Sequence, residues 1–522
     1  MPKYDLLTEP WIDCIDAGGR RVSLGISDVF RRARDLRSIT DPSPLVVVAL
    51  HRVLLAVLYR TQDVSDDDAW ISLWNNGWDH DAIERYLEQY RAGFDLFSAS
   101  SPFFQRADLD LGEKRSALSK LAPEFAAGRN KQLFDHSSDI TPPAWSPADA
   151  AKMLLVSHSW SIGGGQSGAG RPNFTTSTMP RGASIIPLGS NLLQTLLLNL
   201  VPLNSWDQAP RTFTNDMSED RAVWERPGEP MTVKRFPYGV ADYLTWSSRY
   251  IRLLPEPDGN VRWMYLVQGE QFDSFSGSAI VDFMHAYGRD EKRGFYTRGI
   301  DAERAAWRDA SSLFNTFTPR NEGGSCEALL NLKIARDRNG LDLPEVMPVL
   351  VAGIAIPGGQ PPPDLWIAET FQIPRALLES KDLLANLERA LELARQVNDV
   401  LKSAVRFYAT EVLKHDNGSA DPKEASRLAK SLTRELDYWA ALEGAFHAYL
   451  SGLTGDETQR EAAEAAWRRA VEQAAETAFE ASLLSQDRTG RHLRALNTAT
   501  AAFYSPAKGL RLHFPREVNN VR

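Results

Sequence analysis

RALLESKDLLANLERALELARQVNDVLKSAVRFYATEV, residues 375–412, is where this chain changes character. Within it Leu384, Leu387, Leu391, Ala394, Leu401, Val405, Tyr408 and Val412 recur at steps of three and four, which sets them on one face of an α-helix. His415 to Ala420 then breaks the pattern. Asp421-Pro422 with Glu424 supplies an N-cap, a proline at the first helical position and a carboxylate at the third. The same spacing resumes through Leu428, Leu432, Leu436, Trp439, Leu442, Phe446 and Tyr449. A third helix is expected from Asp456 to near Leu483 and a fourth from near Thr489 to Phe503. Four amphipathic helices with short joins predict a C-terminal antiparallel four-helix bundle over residues 371–522.

Residues 1–370 read differently, as one large mixed α+β domain. Helical spacing runs from Pro44 to Tyr59 and from Ser190 to Leu200, whereas Val261 to Val267 and Arg293 to Thr297 have the β-branched and aromatic content of strands. Val349 to Ile356 and Leu365 to Phe371 predict a hairpin whose tip, Pro357-Gly358-Gly359-Gln360-Pro361-Pro362-Pro363, is stiffened by prolines that cannot join a ladder. Gln360 is the one long polar side chain in that tip. A chain of 522 residues exceeds a single ordinary core, which fits this division.

Composition narrows the function classes. Cys14 and Cys326 are the only cysteines, far apart and outside any C-x-x-C, so neither a disulfide framework nor a zinc ribbon is expected. The opening MPKYDLLTEPWID carries no cationic, apolar leader, and no apolar run reaches the roughly 18 residues of a membrane span, so a cytoplasmic protein without membrane attachment is expected. The net charge of −9 argues against nucleic acid until its distribution is considered. Residues 371–522 are balanced at 21 Lys+Arg against 21 Asp+Glu, so the deficit lies upstream. From Ala481 to the end, seven basic residues, among them Arg488, Arg491 and Arg494, face only Asp487 and Glu517. A basic face and a solvated helix end both account for this.

The stretch SIGGGQSGAG, Ser161 to Gly170, holds Gly163, Gly164 and Gly165 in succession, so main chain can approach a crowded surface with no Cβ in the way. The phosphate-loop spacing fails, because Arg171-Pro172 stand where Lys and Ser/Thr are required. The nucleophile elbow fails too: Gly165-Gln166-Ser167-Gly168-Ala169 ends in Ala instead of Gly. Taken alone, the stretch fits an unliganded surface loop as well. None of the nine histidines has partners at metal-ligand spacing, and Asp79-His80-Asp81 and Asp135-His136 read as surface turns. No nucleophile-base pair stands out, so neither a catalytic centre, a metal nor a cofactor is expected.

The order of features matches a known family. Leu6-Leu7-Thr8-Glu9-Pro10-Trp11-Ile12, Pro102-Phe103-Phe104-Gln105, the glycine loop, Tyr243-Leu244-Thr245-Trp246, the Gly-Gly-Gln hairpin and the terminal bundle together resemble the CasA family, large subunits of the type I-E CRISPR surveillance complex Cascade. The resemblance covers essentially the whole chain. It implies a non-catalytic subunit that binds the 5′ handle of the guide RNA, double-stranded target DNA, other Cascade subunits and a helicase-nuclease. Phe134, Asp135 and His136 would contact the RNA, with Phe134 stacking on an unpaired base. Gly163, Gly164 and Gly165 would enter the minor groove of the protospacer-adjacent motif, and Gln360 would act as a wedge beneath it. Gln271 falls where relatives place a lysine finger, so that charge is absent or comes from another loop. Arg488, Arg491 and Arg494 would hold displaced DNA or a neighbouring subunit. Paired zinc-binding cysteines of some relatives have no counterpart here. A metal-dependent nuclease and a purely structural scaffold are the alternative readings.

Overall fold

The computed structural model describes residues 2–515 apart from 122–140, 168–169, 171, 209–212, 215, 217, 230–233, 274–280, 293, 302, 320, 333–343, 357–364, 415–417 and 484–488. Helix and sheet are mixed, and the chain divides into two compact units, Met1–Leu343 with Met347–Phe371, and Pro344–Val346 with Gln372–Arg522.

At the centre of the first unit is the helix Pro44–Thr61, started by a proline at its first position and buried along most of its length. Its apolar composition would suffice to cross a membrane, but 83% of the span is covered by the protein itself, as in a core helix. Arg52, on this helix, is buried and donates from Nη1 to Asp282 Oδ2 at 2.7 Å. Tyr243 Oη donates to the same oxygen at 2.8 Å, and the guanidinium lies 5.2 Å from the Tyr243 ring. One ion pair thus fastens the central helix to two distant segments.

Small sheets surround this core. Ile12–Asp16 pairs antiparallel with both Arg21–Leu24 and Leu36–Ile39. Arg249–Pro255 pairs with Val261–Gln268, which also takes up Ser116–Ala117 at its other edge. Val346–Ala355 lies between Leu365–Pro374 and Ser184–Pro187, so the hairpin expected from the sequence is present in its strands, while its tip and Gln360 fall outside the described residues. Lys234–Arg235 forms a short parallel pair with Gln271–Phe272.

Leu6, Leu7 and Trp11 of the opening motif are buried, and Trp11 Nε1 donates to Leu6 O at 2.9 Å. Asp79-His80-Asp81 starts a helix: Asp79 Oδ1 accepts Ala82 N–H at 3.0 Å as an N-cap. Cys14 and Cys326 are free and buried, and burial pushes both thiols up to about 12.

The second unit is helical. Lys381–Val412 buries the three-four face that the sequence marks, with Leu387, Leu391, Leu401, Val405 and Tyr408 inside. Glu457–Leu483 and Gly490–Phe503 follow, their Phe479 and Phe503 rings stacked at 4.1 Å. The segment expected to be one helix is two, Pro422–Leu432 and Glu435–Ser451. Thr433 turns extended at φ −64°, ψ 124°, and Arg434 N–H donates to Ser482 Oγ of a neighbouring helix at 3.0 Å. That capture removes the amide which would have continued the helix. Among the described residues this unit therefore holds five helices of eleven residues or more, not four.

Removing Asp282 strands the Arg52 charge in a dry site. Asp282→Ala should destabilise the chain by about 3–5 kcal/mol, and the apolar pair Arg52→Met with Asp282→Leu should recover most of that loss. Urea denaturation of the three proteins checks both.

Candidate nucleic-acid interface

The glycine loop leaves the end of the helix Pro147–Trp160, whose start is fixed by Ser146: its Oγ accepts Asp149 N–H at 3.1 Å. The loop returns through residues 172–177, and its two arms are pinned to each other. Gly163 N–H donates to Thr176 Oγ1 at 2.9 Å, Gly164 N–H to Phe174 O at 3.0 Å, and Phe174 N–H to Gly165 O at 3.3 Å. Ser177 Oγ closes the base, donating to Ser159 O at 2.6 Å. Two of the three glycine amides are therefore used inside the protein, and only that of Gly165 has no partner among the described residues.

The glycines differ in why they are needed. A Cβ on Gly163 would stand 2.8 Å from Thr176 N and 3.1 Å from Phe174 O, so close packing excludes a side chain there. Gly164 and Gly165 have φ of 132° and 74°, backbone that favours glycine. Gly164, Gly165 and Gln166 are exposed, so the loop presents main chain to solvent from a rigid base.

That base is built by Arg249 and Gln268, which face each other across the strand pair. Arg249 Nη2 donates to Thr175 O at 2.9 Å and Ile162 O at 3.3 Å, on both arms of the loop. Nη1 donates to Ser248 O at 2.8 Å and Gln268 Oε1 at 3.3 Å. Gln268 Oε1 also accepts Thr175 N–H at 2.8 Å, and Gln268 N–H donates to Ser167 Oγ at 2.6 Å. Sequence reading found neither role, because an Arg and a Gln on adjacent strands carry no local pattern.

Gln271 follows Gln268 by three residues and begins the short strand Gln271–Phe272. Phe272 stacks on Trp246 at 4.3 Å, and the Arg235 guanidinium also lies 4.3 Å from the Trp246 ring. Arg235 donates bidentately to Glu270 at 3.0 and 2.7 Å and to Asp242 at 2.5 and 2.9 Å. Burial pushes the Glu270 carboxyl up despite this pairing. Directly in register with Gln271 stands Lys234, half-exposed, its Nζ 2.9 Å from Asp273. Sequence reading missed Lys234, whose place beside Gln271 depends on a pairing 37 residues apart.

Arg491 and Arg494 are exposed on the helix Gly490–Phe503 of the second unit, and Arg491 Nη2 donates to Lys414 O at 3.0 Å. Phe134, Asp135, His136, Gln360 and Arg488 lie outside the described residues.

The fold is thus mixed, in two units, and its first unit offers the clasped loop at Gly164, Gly165 and Gln166 to solvent. The sequence profile of the CRISPR-associated protein Cse1 matches residues 5–478, and the chain belongs to that family. It is 34% identical to the CRISPR-associated protein CasA/Cse1 of Thermus thermophilus over 95% of each chain. Its fold matches the crystal structure of Thermus thermophilus CasA with a TM-score of 0.78 at 30% identity, covering 96% of this chain and 98% of that one. Thermobifida fusca Cse1 superposes with a TM-score of 0.79 at 24% identity over 98% of both chains. A chain of a structure described as a CRISPR RNA-guided surveillance complex matches with a TM-score of 0.74 at 21% identity, covering 96% of this chain and 100% of its own.

The two ends of the glycine run should respond differently to a methyl group. Gly165→Ala meets no atom within 4 Å and suffers only from its φ of 74°, about 1–2 kcal/mol. Gly163→Ala must push Thr176 aside and should also open the loop. Limited proteolysis between residues 161 and 176 should therefore accelerate in Gly163→Ala and change little in Gly165→Ala.

Proposed function

We propose that the chain is the non-catalytic large subunit of a type I-E CRISPR RNA-guided surveillance complex. In this reading it recognises the protospacer-adjacent motif in double-stranded DNA, helps to open the duplex for guide pairing, and recruits the helicase-nuclease. The observation that carries the reading is the exposed main chain at Gly164, Gly165 and Gln166, held on a base of partly buried hydrogen bonds. A minor groove only about 6 Å wide admits such a ridge, and a guanine amino group in the wrong place meets an unpaired donor or a clash. Membership of the Cse1 family supports the same reading.

With the Gly163 and Gly164 amides paired internally, the groups left to inspect base edges are the Gly165 amide and the peptide surface around it. Recognition is then by shape as much as by hydrogen bonds, which makes it permissive. Lys234 supplies the cation that Gln271 lacks. Its ion pair with Asp273 is solvent-exposed on both sides, so it holds the ammonium by about 1 kcal/mol at most and releases it readily to a phosphate. Phe134, Asp135 and His136 bind the 5′ handle of the guide RNA, Gln360 wedges the first target base pair, and Arg488, Arg491 and Arg494 hold displaced DNA or an adjoining subunit. The complex works in the cytoplasm.

Gel shifts of the assembled complex, with and without this chain, on duplexes that differ only in the motif test the reading. Gly164→Asp should abolish motif-dependent binding while leaving assembly intact; unaltered affinity would remove the loop from the interface. Lys234→Gln should weaken binding and reduce the slope of log K against log salt by about one.

A further inference from the structure

Pro44, Val47 and His51 follow one another at steps of three and four, which puts them on one face of the central helix. With Ile39, Leu188 and Leu350 they line a largely apolar cavity of about 300 Å³ in the first unit. Ligand pockets run from about 300 to 1,000 Å³, so a small molecule fits this one. Pro42, Ala368 and Thr370, also in its wall, are exposed, and the cavity opens there.

Most polar groups of the wall are engaged or adaptable. Asp41 accepts from Lys152 Nζ at 2.8 Å and from Ser43 N–H at 2.9 Å. Thr195 Oγ1 accepts Gly189 N–H at 2.9 Å and donates to Asn191 O at 3.1 Å. Ser38, Thr40 and Thr370 bring hydroxyls, which donate or accept as a ligand requires.

His51 is fixed in its role. The residue is 2% exposed, and its Nδ1 lies 2.8 Å from Val47 O, a carbonyl that can only accept, so the ring proton sits on Nδ1. Burial lowers the imidazole below its ordinary range, which keeps the ring neutral and leaves Nε2 an acceptor. Nε2 has no hydrogen-bond partner among the described residues, yet it is not sealed into the packing as His158 Nδ1 and His285 Nδ1 are. The open space it meets is the cavity that His51 lines. An acceptor at the floor of an apolar pocket is costly unless a donor reaches it.

We infer that this cavity binds a small neutral molecule with an apolar body and one hydroxyl or N–H group, which donates to His51 Nε2. An anion is disfavoured by Asp41 and by the lone pair of the ring. A cation would need an unpaired acid, and Asp41 is already held by Lys152.

p-Cresol is the probe, and p-xylene, the same shape with a methyl group in place of the hydroxyl, is its control. Isothermal titration calorimetry of the full chain should show saturable binding of p-cresol. His51→Phe keeps an aromatic ring and removes the acceptor, so affinity for p-cresol relative to p-xylene should fall about fivefold. Ala368→Trp, an exposed change at the mouth, should block both probes and leave the thermal unfolding midpoint where it was. Absence of saturable p-cresol binding to the wild type overturns the inference, and so does a p-cresol to p-xylene ratio unchanged in His51→Phe. Should His51→Phe fail to fold, Ala368→Trp still decides: p-cresol bound as tightly as by the wild type places it elsewhere on the protein and overturns the site.

Discussion

A single guanidinium behind the glycine loop sets the geometry on which the first unit's exposed surface depends. Arg249 reaches Ile162, Thr175, Ser248 and Gln268, so one planar group ties both arms of the loop to the strand pair beneath. A lysine could not do this, because its compact ammonium lacks the spread of the guanidinium fork. Ordering one residue's backbone costs about 1–2 kcal/mol, and glycine loses the most freedom of any residue. Here that entropy is lost when the chain folds, not when a ligand arrives. Three adjacent glycines therefore make a stiff edge and not a flexible tether.

Behind this clasp lies a second layer that aims the neighbouring strand end. Trp246 is held between Phe272 and Arg235, and Arg235 is held by Asp242 and Glu270. The family motifs are supports of this kind. Gln105 Oε1 accepts Leu253 N–H at 2.8 Å, tying Pro102-Phe103-Phe104-Gln105 to the strand that carries Arg249. Thr245 Oγ1 accepts Val223 N–H at 2.9 Å, placing Tyr243-Leu244-Thr245-Trp246 beside Val223. Conspicuous sequence, in this protein, marks what positions the glycine loop and its strand pair.

That division explains what could be read from the chain. Pro44–Thr61 and Lys381–Val412 were legible because a long helix buries a periodic face, and each step of the period adds local evidence. The break at Thr433 was hidden because its cause, Ser482 Oγ, lies 48 residues away from the amide it captures. The glycine run was visible as an approach site for main chain, but the pairing of its amides with Thr176 and Phe174 was not, since neither partner has a turn signature. Lys234 opposite Gln271 and Arg249 opposite Gln268 are matters of strand register, which single-sequence patterns do not encode.

Elsewhere the first unit compensates its buried cations with care. Arg52 has Asp282, Arg60 has Glu225 at 2.7 and 3.0 Å, and Arg235 has two carboxylates. Arg249 departs from that habit. Arg249 stands without a carboxylate because its two terminal nitrogens are taken up by three carbonyls and the Gln268 amide, and its guanidinium lies 4.9 Å from the Phe174 ring, so the loop it clasps supplies the partners that an acid supplies elsewhere.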